Sequence, residues 1–263
     1  MSPRATLDTA GLEAGLLLGA GRAILLQLAQ PQISRAIAEH SQFTTNPRSR
    51  LLQTLGYIYA VVAGTPAQRQ GMIDYVDRAH TGVHAPRNQR TGQPAYSARD
   101  PKLQLWVAAT LYDSARTLGA QTVPGWDRLD AEALLAQYAV LGTALQLPAG
   151  YWPASVADFD KYFAAQLAGL QVTAAARQQA GQLFTGAAAP WWIRAVLPAM
   201  KDVSITQLPP GVRAQYGFAL SRAAAARSQL LIRTAQCAGR LLPAAVRHAP
   251  ARWILRRIST PEA

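Results

Sequence analysis

Apolar positions recur along most of this 263-residue chain with the three-to-four-residue spacing of an α-helix, and alternating apolar and polar runs are nearly absent. Residues 101–118 are the clearest example, because apolar and small polar side chains follow one helical face. The same spacing predicts helices over residues 6–29 (with a break near Gly19 or Gly21), 32–39, 47–64, 130–145, 155–170, 173–183, 191–200 and 212–242. The pattern therefore predicts an all-α, single-domain helical bundle over residues 1–263.

Capping signals mark several of the helix boundaries. Asn46 and Pro47 form an N-cap and first-turn pair. Thr65 and Gln68 match a capping box, which predicts the start of the next helix. Residues 86–99 are rich in Pro, Gly, Asn, Gln and Arg, so we expect a loop there.

The early part of the chain lacks the features of a membrane span or an export signal. Residues 11–30 are apolar but are interrupted by Glu13, Arg22 and Gln27, whereas a span needs about 20 predominantly apolar residues. The single cysteine, Cys237, excludes an internal disulfide, and we expect it to be a small buried residue. These features favour a cytoplasmic protein.

The formal net charge of +12 is concentrated in the C-terminal part of the chain. After Asp202, nine arginines are accompanied by one acidic residue, Glu262. Arginine-rich helices over about residues 212–258 are compatible with a solvated helix face, with contact to an anionic membrane or protein partner, or with nucleic acid. We favour the solvated face and then membrane contact. A nucleic-acid partner is not expected, because the zinc, RNP and helix-turn-helix signatures are absent.

Histidines dominate the candidate chemistry. His80 and His84 are four residues apart, the spacing that puts two imidazoles on one face of a helix. Arg50 and Thr54 have the same spacing, and Gln53 lies beside them. Structural explanations remain open for both pairs, since a core histidine can bond to a backbone carbonyl, and a helical threonine can bond to its own helix. Serine-elbow, phosphate-loop, Rossmann and CxxC motifs are absent.

Several ordered blocks within about residues 11–118 resemble the signature of the DUF2236 family, which contains the ER-bound oxygenase MpaB and the rubber oxygenase Lcp. They are GRAILLQLAQP (21–31), EHSQF (39–43), NP (46–47), the pair Arg50 and Thr54, DRAHTGVH (77–84), YSA (96–98), DP (100–101) and LWVAATL (105–111). The family's looser C-terminal half extends over most of the remaining chain. The resemblance implies a latex-clearing-protein-like helical bundle with a globin-like haem-binding core.

The resemblance also implies a cofactor and a set of site residues. It implies haem b with His84 as the proximal iron ligand, and Arg50 and Thr54 on the distal, oxygen-binding side. Rubber-cleaving members have a lysine directly before the threonine as a second axial ligand, whereas this chain has Gln53, which cannot supply an amine. We therefore expect the iron to be five-coordinate or water-bound at rest, and rubber cleavage is not implied. Many relatives have a histidine at the position of Ala108.

Three further residues complete the candidate site. Glu39 precedes the helix that carries Arg50 and is a candidate base or water-positioning group. His80 is a candidate for a hydrogen bond within the haem pocket, and His40 for anchoring the segment around Glu39. A structural role is favoured for both histidines.

The main functional hypothesis is a haem-dependent oxygenase that uses dioxygen on a small hydrophobic, unsaturated or isoprenoid-like substrate. A second hypothesis is a non-catalytic haem-binding or lipid-binding protein, attached to a membrane surface by the arginine-rich C-terminal helix. A third is a non-haem iron oxygenase in which His80 and His84 join Glu39 or Asp77 as metal ligands.

Overall fold

Helices make up most of the structure, and the prediction of an all-α fold is confirmed. The computed structural model describes residues 7–40, 47–184 and 191–258. Short 3₁₀ helices cover Ala14–Gly19, Trp126–Arg128 and Ala149–Tyr151, and strands β1 (His84–Ala85) and β2 (Tyr96–Ser97) pair antiparallel. The α-helices are α1 (Leu7–Ala10), α2 (Ala20–Leu28), α3 (Pro31–His40), α4 (Pro47–Ala63), α5 (Pro66–Thr81), α6 (Pro101–Thr122), α7 (Ala131–Tyr138), α8 (Val140–Thr143), α9 (Val156–Gly169), α10 (Ala174–Leu183), α11 (Trp191–Thr206), α12 (Pro210–Tyr216), α13 (Arg222–Leu241), α14 (Ala244–Arg247) and α15 (Ala249–Arg257).

Helix α6 lies at the centre of the hydrophobic core. Asp100 caps its N-terminus through its side chain, and a proline occupies the first turn. Trp106, Tyr112 and Leu118 of this helix are fully buried. Burial of each such side chain contributes about 1.5–3 kcal/mol to folding. The amphipathic pattern over residues 101–118 is therefore the packing face of the central helix.

A buried ion pair joins α2 to α6. The Arg22 guanidinium is paired with the Asp113 carboxylate and also donates to Ser114 Oγ at 2.9 Å. A third hydrogen bond, from Arg22 Nε to the carbonyl of Gln207, is 2.8 Å long. Removing one partner of a pair this deeply buried costs about 3–5 kcal/mol, because the other charge stays buried without compensation. The pair therefore holds two of the helices that also line the cavity described below.

Several boundaries differ from the prediction. The predicted first helix divides into α1, a 3₁₀ turn and α2, at the break expected near Gly19. The single helix predicted over residues 212–242 is wrong, because Gly217 has φ of +74° and ends α12 before α13 begins. The loop predicted over residues 86–99 contains β2, which pairs with β1.

The C-terminal helices pack on the bundle at two places. In α13, a Cβ at Gly239 would lie 2.8 Å from the carbonyl oxygen of Thr122, so glycine allows the two helices to approach closely. In α15, Ala251 and Ile254 are buried against Tyr59 of α4. Within the part of the chain that the structure describes, no helix combines the length and apolar character needed to cross a membrane.

Candidate functional site

An apolar cavity lies among α3, α4, α5 and α6, with further lining from α2, α8 and β2. The volume of the cavity is about 280 Å³, near the lower end of the range of about 300–1,000 Å³ for small-molecule sites. Its walls are mainly apolar and include Ile33, Ile37, Val76, Leu103, Val107 and Leu111. Its size suits a small hydrophobic ligand, and its mainly apolar lining is typical of ligand and cofactor sites.

A few polar side chains interrupt the apolar lining. His80, on the last turn of α5, is half-buried and its Nδ1 atom is completely buried. Gln53 and Thr54, on α4, also line the cavity and are exposed. Tyr57, one turn further along α4, is buried, and its hydroxyl donates to the carbonyl of Leu141 at 2.8 Å. The cavity thus combines one half-buried imidazole with two exposed polar side chains of α4.

Another polar group faces the cavity from β2. Tyr96 is buried, and its hydroxyl donates to Glu39 Oε2 at 2.6 Å. Arg35 Nε donates to the other carboxylate oxygen of Glu39 at 2.8 Å, and the guanidinium lies 5.1 Å from the Tyr96 ring centroid. The His40 ring also lines the cavity and packs edge-on against Tyr96, with ring centroids 5.9 Å apart. Glu39 itself does not line the cavity.

The electrostatics of this group follow from its hydrogen bonds. The Tyr96 hydroxyl, and then Arg35, stabilise the Glu39 carboxylate and lower the pKa of Glu39 below its ordinary value of 4.5. Burial and the adjacent carboxylate raise the pKa of Tyr96 to about 12. Glu39 therefore stays ionised and Tyr96 stays neutral across the physiological range.

The structure places His84 away from the cavity. Helix α5 ends at Thr81, so His80 and His84 do not share a helical face as their spacing suggested. His84 instead starts β1, opposite Ser97, and its side chain is exposed. Of these two histidines, only His80 lines the cavity. The assignment of His84 as iron ligand stays a prediction.

The other predicted site residues fall into two groups. Gln53, Thr54 and His80 lie together on the cavity wall, and so does Ala108, which occupies the position where many relatives have histidine. Arg50 lies in the first turn of α4, but its side chain is outside the described residues. Its predicted place on the oxygen-binding side of a haem therefore stays a prediction.

The described residues contain no group of three or more His, Cys, Asp or Glu side chains that could hold a metal ion. The described residues include all four proposed ligands of a non-haem iron: His80, His84, Glu39 and Asp77. Asp77 accepts two hydrogen bonds from Arg99, of 2.7 and 2.9 Å, and a further one from Gln146. The arrangement of these side chains therefore does not favour the non-haem iron alternative.

Sequence reasoning missed the role of Tyr96 in this cavity. The tyrosine was part of a recognised block, but nothing local indicated its partner, because Glu39 lies 57 residues earlier. The available signal for a role was a single aromatic residue, Tyr96, inside the turn-rich segment 86–99 and shortly before a helix start.

Comparison with known families places this helical bundle in the class of oxygenase catalytic domains. Residues 7–238 match the family described as "ER-bound oxygenase mpaB/B'/Rubber oxygenase, catalytic domain", and the chain belongs to that family. The resemblance noted in the sequence is thereby confirmed, and membership supports an oxidoreductase of the oxygenase kind.

Two similar proteins come from mycobacteria. They are uncharacterized protein Mb2261 of Mycobacterium bovis and uncharacterized protein Rv2237 of Mycobacterium tuberculosis. Each is 32% identical over 225 residues, covering 84% of this chain and 87% of the relative. No solved structure matches the chain significantly.

Proposed function

We propose that this chain is a haem b-dependent oxygenase that uses dioxygen on a small, hydrophobic, unsaturated substrate. The observation that carries the proposal is the apolar cavity with the His80 imidazole on its wall, in a member of an oxygenase family. Neutral imidazole is the ordinary protein donor to haem iron, and a haem pocket needs an apolar wall. The residues of the cavity fit both requirements.

His80 is the preferred ligand in this proposal. Its ring lies on the cavity wall, whereas the ring of His84 lies on the exposed strand β1. His84 is retained as the competing assignment, because the family resemblance points to it.

The remaining side chains of the cavity bind the substrate and orient it. The apolar wall removes a hydrophobic substrate from water, and the burial of its surface drives binding. Thr54 and Gln53 place a hydroxyl and an amide on the cavity wall, the groups that orient a ligand by its polar atoms. Bound haem would supply the oxygen chemistry, while the protein controls access and orientation.

Glu39 acts in this proposal as a positioning residue. Its carboxylate already accepts hydrogen bonds from Tyr96 and Arg35, and these bonds lower its pKa. A carboxylate with a lowered pKa is a weaker base, so Glu39 is better suited to orienting Tyr96 than to removing a proton. Because the Tyr96 hydroxyl donates its hydrogen bond to Glu39, its oxygen is left to accept a hydrogen bond from a ligand.

The test is a haem titration of the purified chain and of two matched variants, His80→Ala and His84→Ala, followed by absorption spectroscopy. We expect a Soret band in the parent and in His84→Ala, and a lost or displaced band in His80→Ala that added imidazole restores. The reverse pattern would assign the ligand to His84. Absence of the band from all three proteins would overturn the haem proposal.

Oxygen uptake then tests turnover. The haem-loaded parent is expected to consume dioxygen when an isoprenoid-like olefin is added, and the saturated analogue serves as the control. A haem-loaded protein that consumes no oxygen with any olefin tested would support a haem-binding role and contradict the oxygenase proposal.

A further inference from the structure

We propose that residues 241–246, here called the apolar tip, insert into the surface of an anionic membrane, with the neighbouring arginines on the lipid phosphates. The apolar tip comprises the last residue of α13, the two residues after it and the first three residues of α14: Leu241, Leu242, Pro243, Ala244, Ala245 and Val246. None of its residues lines the cavity. The proposal therefore stands independently of the chemistry proposed above.

The apolar tip consists of six consecutive exposed apolar residues. The relative exposure of Leu241 is 82%, that of Val246 is 51% and that of Leu242 is 41%, and the three residues between them are also exposed. Surface connections are normally polar, and single exposed apolar residues are common. An uninterrupted exposed run at the end of a helix is instead typical of a surface that is covered in use.

The apolar tip is held in place by an ion cluster. Arg247 Nη1 donates to the carbonyl of Leu242 at 2.8 Å, and its Nε and Nη2 atoms donate to Glu13 at 2.9 Å. His248 Nε2 lies 3.0 Å from the same carboxylate. Glu13 and His248 are buried, so the cluster ties the tip to the 3₁₀ turn near the N-terminus. A surface ordered in this way loses little conformational entropy when it binds.

The charge around the apolar tip is positive. Arg240 precedes it directly, Arg233 lies two turns earlier on α13, and Arg252 follows on α15, and all three are exposed. The sequence has no acidic residue between Asp202 and Glu262. Anionic lipid attracts such arginines, while an apolar projection enters the acyl region beneath the phosphates.

This combination favours a lipid surface over other occupants. Nucleic acid would meet the arginines but would leave the leucines and the valine in water. The matched family region ends at residue 238, so the apolar tip lies beyond the domain that the family shares. Attachment is thus a property of this chain's C-terminal segment.

The experiment measures binding of the full chain to vesicles by flotation. Phosphatidylcholine vesicles are compared with vesicles of phosphatidylcholine and phosphatidylserine, at low and at high salt. We expect binding to the phosphatidylserine vesicles, weakening as salt screens the arginines. The single cysteine provides a second readout, because Cys237 is exposed and lies one turn before Leu241 on α13. A polarity-sensitive dye on Cys237 should shift to the blue on binding.

Two variants test the apolar tip and the charge separately. Leu241→Ser combined with Val246→Ser should weaken binding at least about tenfold, because two side chains no longer leave water. Arg240→Gln should weaken binding roughly fivefold, as expected for one arginine at an anionic surface. Leu230→Ser is the matched control, since Leu230 is 67% exposed on the same helix but lies about three turns from the tip.

Several outcomes would overturn the proposal. These are failure of the parent to bind, equal binding to neutral vesicles, and unchanged binding by the double serine variant. Stronger loss in Leu230→Ser than in the double variant would move the contact to another part of α13. A parent that sediments as a dimer without lipid, and becomes a monomer in the double serine variant, would show that a second copy covers the tip.

Discussion

The molecule carries two apolar surfaces of opposite shape. The cavity is concave, is walled by α3 to α6 and contains a few polar groups such as His80 and Thr54. The apolar tip is convex, lies where α13 meets α14 and has arginines before and after it in the sequence. A concave surface can enclose a small molecule and orient it, whereas a convex one is covered only by a larger surface. Chemistry and attachment are thus assigned to separate parts of the chain.

The largest expected effect comes from the cluster that holds the apolar tip. Glu13→Ala should lower the free energy of unfolding by about 2–3 kcal/mol, because Arg247 and His248 then lose a carboxylate in a largely buried site. Urea unfolding followed by circular dichroism measures the change. Vesicle binding should also weaken, while haem uptake should stay as in the parent.

The control for this variant is an exposed ion pair. Asp160→Ala removes the exposed partner of Arg116 and should change stability by less than about 1 kcal/mol. If Asp160→Ala and Glu13→Ala lower the free energy of unfolding by similar amounts, the buried cluster stabilises the fold no more than an exposed ion pair does. Lost haem uptake in Glu13→Ala would show that the two surfaces depend on each other.

An intermediate effect is expected at the cavity wall. Ala108→Phe places a ring at a buried position that lines the cavity, and overpacking of this kind costs about 1–3 kcal/mol. We expect loss of haem uptake in the titration, with vesicle binding unchanged. Ala165→Phe, on the exposed face of α9, is the matched control and should change neither. Full haem uptake by Ala108→Phe would place the cofactor elsewhere.

The smallest effect is expected at Tyr96. Tyr96→Phe removes the hydrogen bond to Glu39 and should lower the free energy of unfolding by about 1 kcal/mol near neutral pH. The variant should keep the apolar tip and its vesicle binding intact. Chemical unfolding at neutral pH measures the difference.

The same variant should change the pH dependence of stability. The lowered pKa of Glu39 means that its contribution is present above the ordinary value of 4.5 and is lost as pH falls through the folded value. The raised pKa of Tyr96 means that its contribution is present below 10.0 and is lost as pH rises towards about 12. In Tyr96→Phe, the free energy of unfolding should therefore change less steeply with pH, both in the acidic range and in the alkaline range. Unchanged slopes would contradict the coupling of the two groups.

Much of the fold could be predicted from the sequence, because helix boundaries depend on neighbouring residues. The capping box at Thr65 is present with both of its hydrogen bonds to Gln68, of 3.1 and 3.2 Å. The N-cap at Asp100 is also present. The sequence analysis missed the break at Gly217. Glycine adopts positive and negative φ equally well, and which one Gly217 adopts depends on how the following helix packs.

The candidate site was only partly predictable. His80 and Thr54 were recognised and both line the cavity. The assumption that His84 shares a helical face with His80 failed, because α5 ends at Thr81 and β1 pairs with a strand more than ten residues later. Cys237 was expected to be buried but is exposed, because α13 packs on the bundle through a different face.

By itself, the sequence determined the helical class, most of the helix starts, membership of the oxygenase family and the accumulation of arginines near the C-terminus. These properties depend on residues a few positions apart or on composition. Only the tertiary structure decided that His80 rather than His84 lies on the cavity wall, that Tyr96 meets Glu39, and that the apolar tip stays exposed. The contact between Glu13 and Arg247 joins residues 234 positions apart. Such contacts depend on how all the helices pack together, which no local pattern of residues specifies.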